Sequence, residues 1–122
     1  MKVKQFRDLL VWQKSMALAR EIYRITRKFP KDEMFGLTSQ MRRAAVSISS
    51  NIAEGQGQLT DKSFCLFLTR ARGSLYELET QSELAESLGM MEKTELEQIL
   101  SSCKEIGRML HGLLNSMKED AR

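Results

Sequence analysis

Residues 61–89 read DKSFCLFLTRARGSLYELETQSELAESLG, and the positions Phe64, Leu68, Ala71, Leu75, Leu78, Ser82 and Ala85 alternate spacings of four and three. That alternation holds one side of an α-helix against a partner helix, so the stretch is a heptad seam. Thr60 or Asp61 is its expected N-cap and Gly89 its stop. Downstream, Leu96, Leu100, Cys103, Gly107, Leu110, Leu114 and Met117 continue the same spacing. Thr94 followed three residues later by Glu97 predicts the capping box that opens that helix.

Upstream, Leu37, Met41, Ala44, Ala45, Ile48 and Ile52 lie on one side of a helix predicted from Asp32 or Gly36 to Glu54, with Gly55 as its C-terminal stop and Gly57 in the loop. The first helix is expected from an Asp8 N-cap to Lys28, ended by Pro30. Its apolar residues form two adjacent stripes. Val11, Leu18, Ile22, Ile25 and Phe29 run beside Trp12, Met16, Ala19 and Tyr23, which predicts a wide buried face. No alternating β-branched run bounded by turn residues occurs, so strands are not expected. Four helices with short links predict an all-α, up-down-up-down antiparallel four-helix bundle spanning 1–122 as a single domain, with crossings near ~20°.

At 122 residues the chain can bury a core without disulfides or metal. Residues 1–15 start basic, but charges interrupt the short apolar run 9–12, which does not suit a signal peptide. No run approaches the ~18 apolar residues of a membrane span. The expected location is therefore cytoplasmic, with no membrane partner, and Cys65 and Cys103 are expected as reduced thiols on separate helices. Charge is divided along the chain. Residues 1–43 carry eleven Lys/Arg and four Asp/Glu, a net +7, and residues 44–122 carry eight against twelve, a net −4. Either helices neutralise one another within an assembly, or a basic surface awaits an anionic partner such as RNA or DNA.

Three constellations carry this further. On the second helix, Gln40, Arg43, Ser47, Asn51 and Glu54 form a polar stripe directly beside the apolar sector. It is a solvated boundary or a hydrogen-bonded network to a neighbouring helix or subunit. On the third, Gly73 sits opposite the seam, where glycine destabilises a solvent-facing helix by about 0.8–1.0 kcal/mol relative to alanine. Small residues Ser39, Val46, Ser50 and Ala53 face outward on the second helix as well, so both middle helices carry a second packing surface, expected to serve a homo-oligomer. Arg72, Glu79 and Glu83 share a flank of the third helix and could pair within it or across an interface. On the first, Arg20, Arg24, Arg27 and Lys31 recur at four, three and four, one strip that either is solvated beside Glu21, Asp32 and Glu33 or binds RNA or DNA phosphates. No aromatic residue lies in that strip, so such binding is expected to be backbone-directed and salt-sensitive.

No enzyme activity is expected. His111 is the single histidine, without a cysteine or carboxylate at a spacing that would make it a base. Cys/His clusters, a glycine-rich phosphate loop and the helical carboxylate–histidine pairs of di-iron bundles are missing from the sequence, so no cofactor or metal is expected.

FPKDEMFGLTSQMRRAAVSISSNIAEGQG at 29–57, ARGSLYELET at 71–80 and LLVWQKSMALAREIY near the start together resemble one family. It is the bacterial four-helix-bundle proteins first noticed as reading frames within intervening sequences of large-subunit ribosomal RNA genes. That family is similar to the accessory variability protein of diversity-generating retroelements. The resemblance implies a homopentameric ring of bundles that binds nucleic acid and assists a reverse transcriptase. It supplies no catalytic residues. Two positions depart from the pattern. Ser49 stands where many relatives have proline, which implies a weaker kink, and Gln58 replaces a commonly basic residue.

Overall fold

The structure is a computed structural model describing residues 5–120, with side chains described through Met117. Four helices follow one another: α1 Leu10–Thr26, α2 Leu37–Gln56, α3 Asp61–Ser87 and α4 Lys93–Asp120. Each packs on its neighbours in sequence, and α4 returns to α1, so the helices occupy the corners of a square. Specific contacts fix their directions. Lys14–Glu105 and, just past the end of α1, Lys28–Glu95 run the first helix against α4; Ser47 with Ser74 and Gly55 with Phe67 run α2 against α3; Cys65 with Met117 and Leu75 with Gly107 run α3 against α4. In each pair the residue numbers rise on one helix as they fall on the other, the antiparallel arrangement that short connections enforce.

The core follows the heptad argument. Leu68, Ala71, Leu75, Leu78, Ser82 and Ala85 of α3 are buried, as are all six predicted α2 positions and Val11, Leu18, Ile22, Ile25 and Phe29 near α1. On α4 the seam is rotated from expectation. Ile99 and Ile106 are fully buried beside Cys103 and Leu110, whereas Leu100 and Gly107 sit half-buried at its edge. Branched side chains win those places because they fill the space that a glycine leaves open. Within the described residues no helix is long and apolar enough to cross a membrane.

Three helix ends differ from the sequence expectation. Asp8 does not cap α1: it belongs to a 3-10 turn, Phe6–Asp8, and Leu9 holds the cap position without a side-chain bond. The turn is held by Phe6 packing edge-on against Trp12 and by Gln13 Nε2 donating to the Arg7 carbonyl. Gly55 does not stop α2, which runs on to Gln56. The reason is tertiary: a Cβ on Gly55 would lie 2.8 Å from Phe67 Cβ and 2.9 Å from Phe64 Cδ1, so glycine permits α2 and α3 to touch there. The Thr94–Glu97 box does not form either. α4 begins at Lys93, and Glu95 Oε1 accepts from the Glu92 N–H at 3.1 Å, the backward half of a box shifted by two residues. Two expectations hold in detail. Thr60 Oγ1 accepts from Ser63 N, and after α3 the Gly89 N–H bonds Glu86 O while the Met90 N–H bonds Ala85 O, a Schellman end with Gly89 at φ +78°. Backbone of α2 continues through Ser49 without a break, as a helix interior without proline should.

Glu95 links this end to α1. Its carboxylate lies 2.5 Å from Lys28 Nζ, which with the Glu92 N–H holds its pKa below the ordinary value against the cost of burial. A carboxylate with a depressed folded-state pKa stabilises fully above its unfolded pKa and loses that contribution as pH falls through the folded one. Because Lys28 is more than half exposed, the pair is partly screened. Glu95→Gln is expected to cost about 1 kcal/mol at pH 7. In urea titrations the difference between the two proteins should shrink as pH falls through the folded-state pKa of Glu95, which lies below the ordinary value.

Candidate functional site

The bundle leaves two surfaces open among the described residues. One is a groove of about 640 Å³ between α1 and α2, lined by Trp12, Met16, Ala19 and Tyr23 from one helix and Val46, Ser49, Ser50 and Ala53 from the other. The expected wide buried face of α1 is therefore only half closed. Tyr23 is 40% exposed and Val46 42%, although both lie along helix faces that pack. Small residues on α2, Ser49, Ser50 and Ala53, keep the floor low. Arg20 and Arg27 border this groove.

The four cations of the predicted strip do not act alike. Arg24 is paired with Glu21, whose carboxyl this contact holds below its ordinary pKa. Lys31 lies beyond α1, in the 3-10 turn Lys31–Glu33 that follows Pro30. The side chains of Arg20 and Arg27 are exposed and make no hydrogen bond or ion pair within the described residues. Both border the groove that Trp12 and Tyr23 also line, so aromatic rings lie near the strip though none lies within it. A sequence-remote arginine joins the region: Arg42 stacks on the Tyr23 ring at 4.6 Å while its Nε donates to Thr26 Oγ1 at 2.9 Å.

The α2 polar stripe divides in the same way. Ser47 and Asn51 are half-buried and bonded: Asn51 Nδ2 donates to Ser47 O at 2.8 Å and to Ser47 Oγ at 3.0 Å, and Ser47 Oγ meets Ser74 Oγ at 2.8 Å. This is a network to a neighbouring helix of the same chain. Gln40, Arg43 and Glu54 are exposed, and their side chains have no partner within the described residues. Ser74 was absent from the sequence prediction, yet its signal was there: it flanks the α3 seam on the side that faces α2.

The second surface is the outside of α3. Gly73 is exposed with nothing within 4 Å of the place a Cβ would occupy, so the chain itself supplies no reason for glycine. Leu66, Tyr76 and Leu84 on the same helix are each about half exposed. Arg72 and Glu79, by contrast, line a shallow groove against α4, together with Glu83 and Cys103. Arg72 and Glu79 do not pair with each other. Burial raises the Glu79 pKa, with Glu83 adding to it.

With the groove, the arginines and the outer α3 face placed, comparison with known proteins gives the family. Residues 7–112 match the family model described as 23S rRNA-intervening sequence protein. The chain belongs to that family. A crystal structure of a protein with unknown function from the S23 ribosomal protein family, from Bacteroides thetaiotaomicron VPI-5482, is similar with a TM-score of 0.78. Identity to it is 24%, over 86% of this chain and 98% of that one, a likeness that shows the fold. No curated protein matches the chain.

Chemistry in this 23S rRNA-intervening sequence protein can be tested at its thiols. Burial pushes the Cys103 pKa up to about 12, with Glu79 adding to the rise, and the residue is 1% exposed. Since the thiolate is the nucleophile, Cys103 should react roughly a thousandfold more slowly at pH 8 than an ordinary thiol. A timed alkylation pulse read by mass spectrometry should label Cys65, which is half-buried, and reach Cys103 only after unfolding. No group of three His, Cys, Asp or Glu suited to a metal occurs among the described residues.

Proposed function

We propose that the protein is a non-enzymatic assembly protein whose copies associate into a closed ring, with five as the expected number. The observation that carries this reading is the open groove between α1 and α2, where aromatic and aliphatic side chains stay uncovered in the single chain. Covering such a surface returns roughly 25 cal/mol per Å² of apolar area, and water is a poor permanent neighbour for it. Exposed Gly73 supports the reading, since a helix gains from glycine there only when something approaches closely. Native mass spectrometry tests the copy number. A discrete species of five chains is expected, and a ladder of unclosed lengths would refute ring closure.

A second reading is RNA or DNA association, favoured by the unpaired Arg20 and Arg27 beside Trp12 and Tyr23. Phosphates would answer the cations and a splayed base could stack on the rings. A reverse transcriptase would be a partner only through that nucleic acid. Binding of a single-stranded RNA should then weaken steeply with salt. Arg20→Gln with Arg27→Gln should flatten the slope of log affinity against log salt by between one and two, while Arg24→Gln, already neutralised by Glu21, should change it less.

A further inference from the structure

We propose that the pocket where α1 turns into α2 holds a terminal phosphate group, gripped by Arg27, Lys31 and Arg42. The inference deepens the nucleic-acid reading above, and it rests on that reading for the strand that would carry the phosphate.

The pocket has a volume of about 230 Å³, and Arg27, Lys31, Thr38 and Arg42 are among its lining residues. That is below the roughly 300–1,000 Å³ of a site for a drug-sized molecule, so it has room for one charged group rather than for a whole nucleotide. Three cations line it and no carboxylate does. Neighbouring carboxylates are committed elsewhere or lie outside. Glu21 pairs with Arg24, Glu95 with Lys28, and Glu33 Oε1 accepts from the Leu37 N–H at 3.0 Å, while Asp32 is exposed and does not line the pocket. The Arg27 and Lys31 side chains are exposed and unpaired among the described residues. A terminal phosphate, with a charge of about −1.5 to −2 at pH 7, answers three cations better than a singly charged carboxylate does.

The arginine on α2 is held ready. Arg42 is half-buried, its guanidinium stacked on Tyr23 and its Nε bonded to Thr26 Oγ1, whose own proton goes to the Ile22 carbonyl at 2.7 Å. Those contacts fix the plane of the fork and leave its terminal amino groups without a partner among the described residues. A planar fork matches two oxygens of a phosphate, and fixing it in advance reduces the entropy lost on binding. Thr38 adds a second signal: it is 5% exposed, and its hydroxyl has no partner among the described residues. A buried hydroxyl without a partner is costly, and an oxyanion seated against Thr38 supplies one. Arg27 lines the α1–α2 groove as well, so a strand anchored here would continue past Tyr23 toward Trp12.

Thermal melts and RNA binding test this in the full chain. Inorganic phosphate should raise the melting temperature above that in chloride of equal ionic strength, since a ligand that binds only the folded state stabilises it. Lys31→Gln and Arg42→Lys should each abolish the difference; the second keeps the charge and removes the fork, and melts in chloride show that both variants fold. Single-stranded RNA ending in a 5′-phosphate should bind the unaltered protein about tenfold tighter than the same strand ending in a hydroxyl, and both variants should lose that preference. Absence of a phosphate effect on the unaltered protein, or its persistence in both variants, overturns the pocket. A phosphate effect that both variants lose, with no preference between the strands, supports the pocket and assigns it to a free phosphate group. RNA binding that depends on Arg20 with no phosphate effect overturns the pocket and leaves the nucleic-acid reading standing. A phosphate effect without RNA binding does the reverse.

Discussion

Ile48→Ala is expected to cost about 2–5 kcal/mol of folding stability, the range for removing a large aliphatic side chain from a packed interior. Ile48 is fully buried near the middle of α2, the helix that contacts both α1 and α3. Its loss leaves a cavity that two helices would have to move to close, and close packing resists that motion. Val46, two residues earlier, makes the informative control. It is 42% exposed on the groove side, so Val46→Ala should change monomer stability by no more than about 0.5 kcal/mol. On the proposed assembly the same substitution should weaken association, because the methyl groups it removes line the open groove. Chemical denaturation of both variants, set beside their association constants, separates the core face of α2 from its outer one.

The second large effect is expected at Gly55. A valine there would force its Cβ to 2.8 Å from Phe67 Cβ, an atom fixed to the α3 backbone that cannot swing aside. The helices must separate, and overpacking of this kind costs about 1–3 kcal/mol, partly offset by the gain of replacing a helical glycine. Gly57→Ala is the contrast. Its Cβ would meet only the Glu54 and Ala53 carbonyl oxygens at 3.6 and 3.8 Å, with φ at −82°, so stability should hold or rise slightly. Thermal melts of Gly55→Val, Gly57→Ala and the parent protein give the ordering directly.

Gly55 also marks where the sequence stops being legible. Seven-residue periodicity identifies α3 and its buried side because a repeat of one face needs no knowledge of the neighbour. A glycine near a helix end has two uses, termination and close approach, and only the position of Phe64 and Phe67 on another helix decides between them. The capping box fails for a related reason. Thr94 and Glu97 have the right chemistry, but Glu95 is drawn to Lys28 across the bundle and fixes the helix start from Glu92 instead. Local rules predicted an end; a tertiary ion pair moved it.

The candidate site was legible in pieces. Arg20 and Arg27 were visible as cations and Gly73 as an unexplained glycine, while Trp12, Met16 and Tyr23 looked like core. That these last residues line an open groove depends on α2 offering Val46, Ser49, Ser50 and Ala53 opposite them, a fact of helix pairing rather than of either helix alone. Charge spacing misled in the opposite sense. Four cations at helical intervals suggested one strip, but Pro30 turns the chain before Lys31 and Glu21 takes Arg24.

Multi-angle light scattering of the unaltered protein tests self-assembly most directly. At low micromolar concentration the account predicts a single species near five times the 14.0 kDa chain mass, independent of further dilution over about tenfold. A species of 14.0 kDa across that range would contradict it.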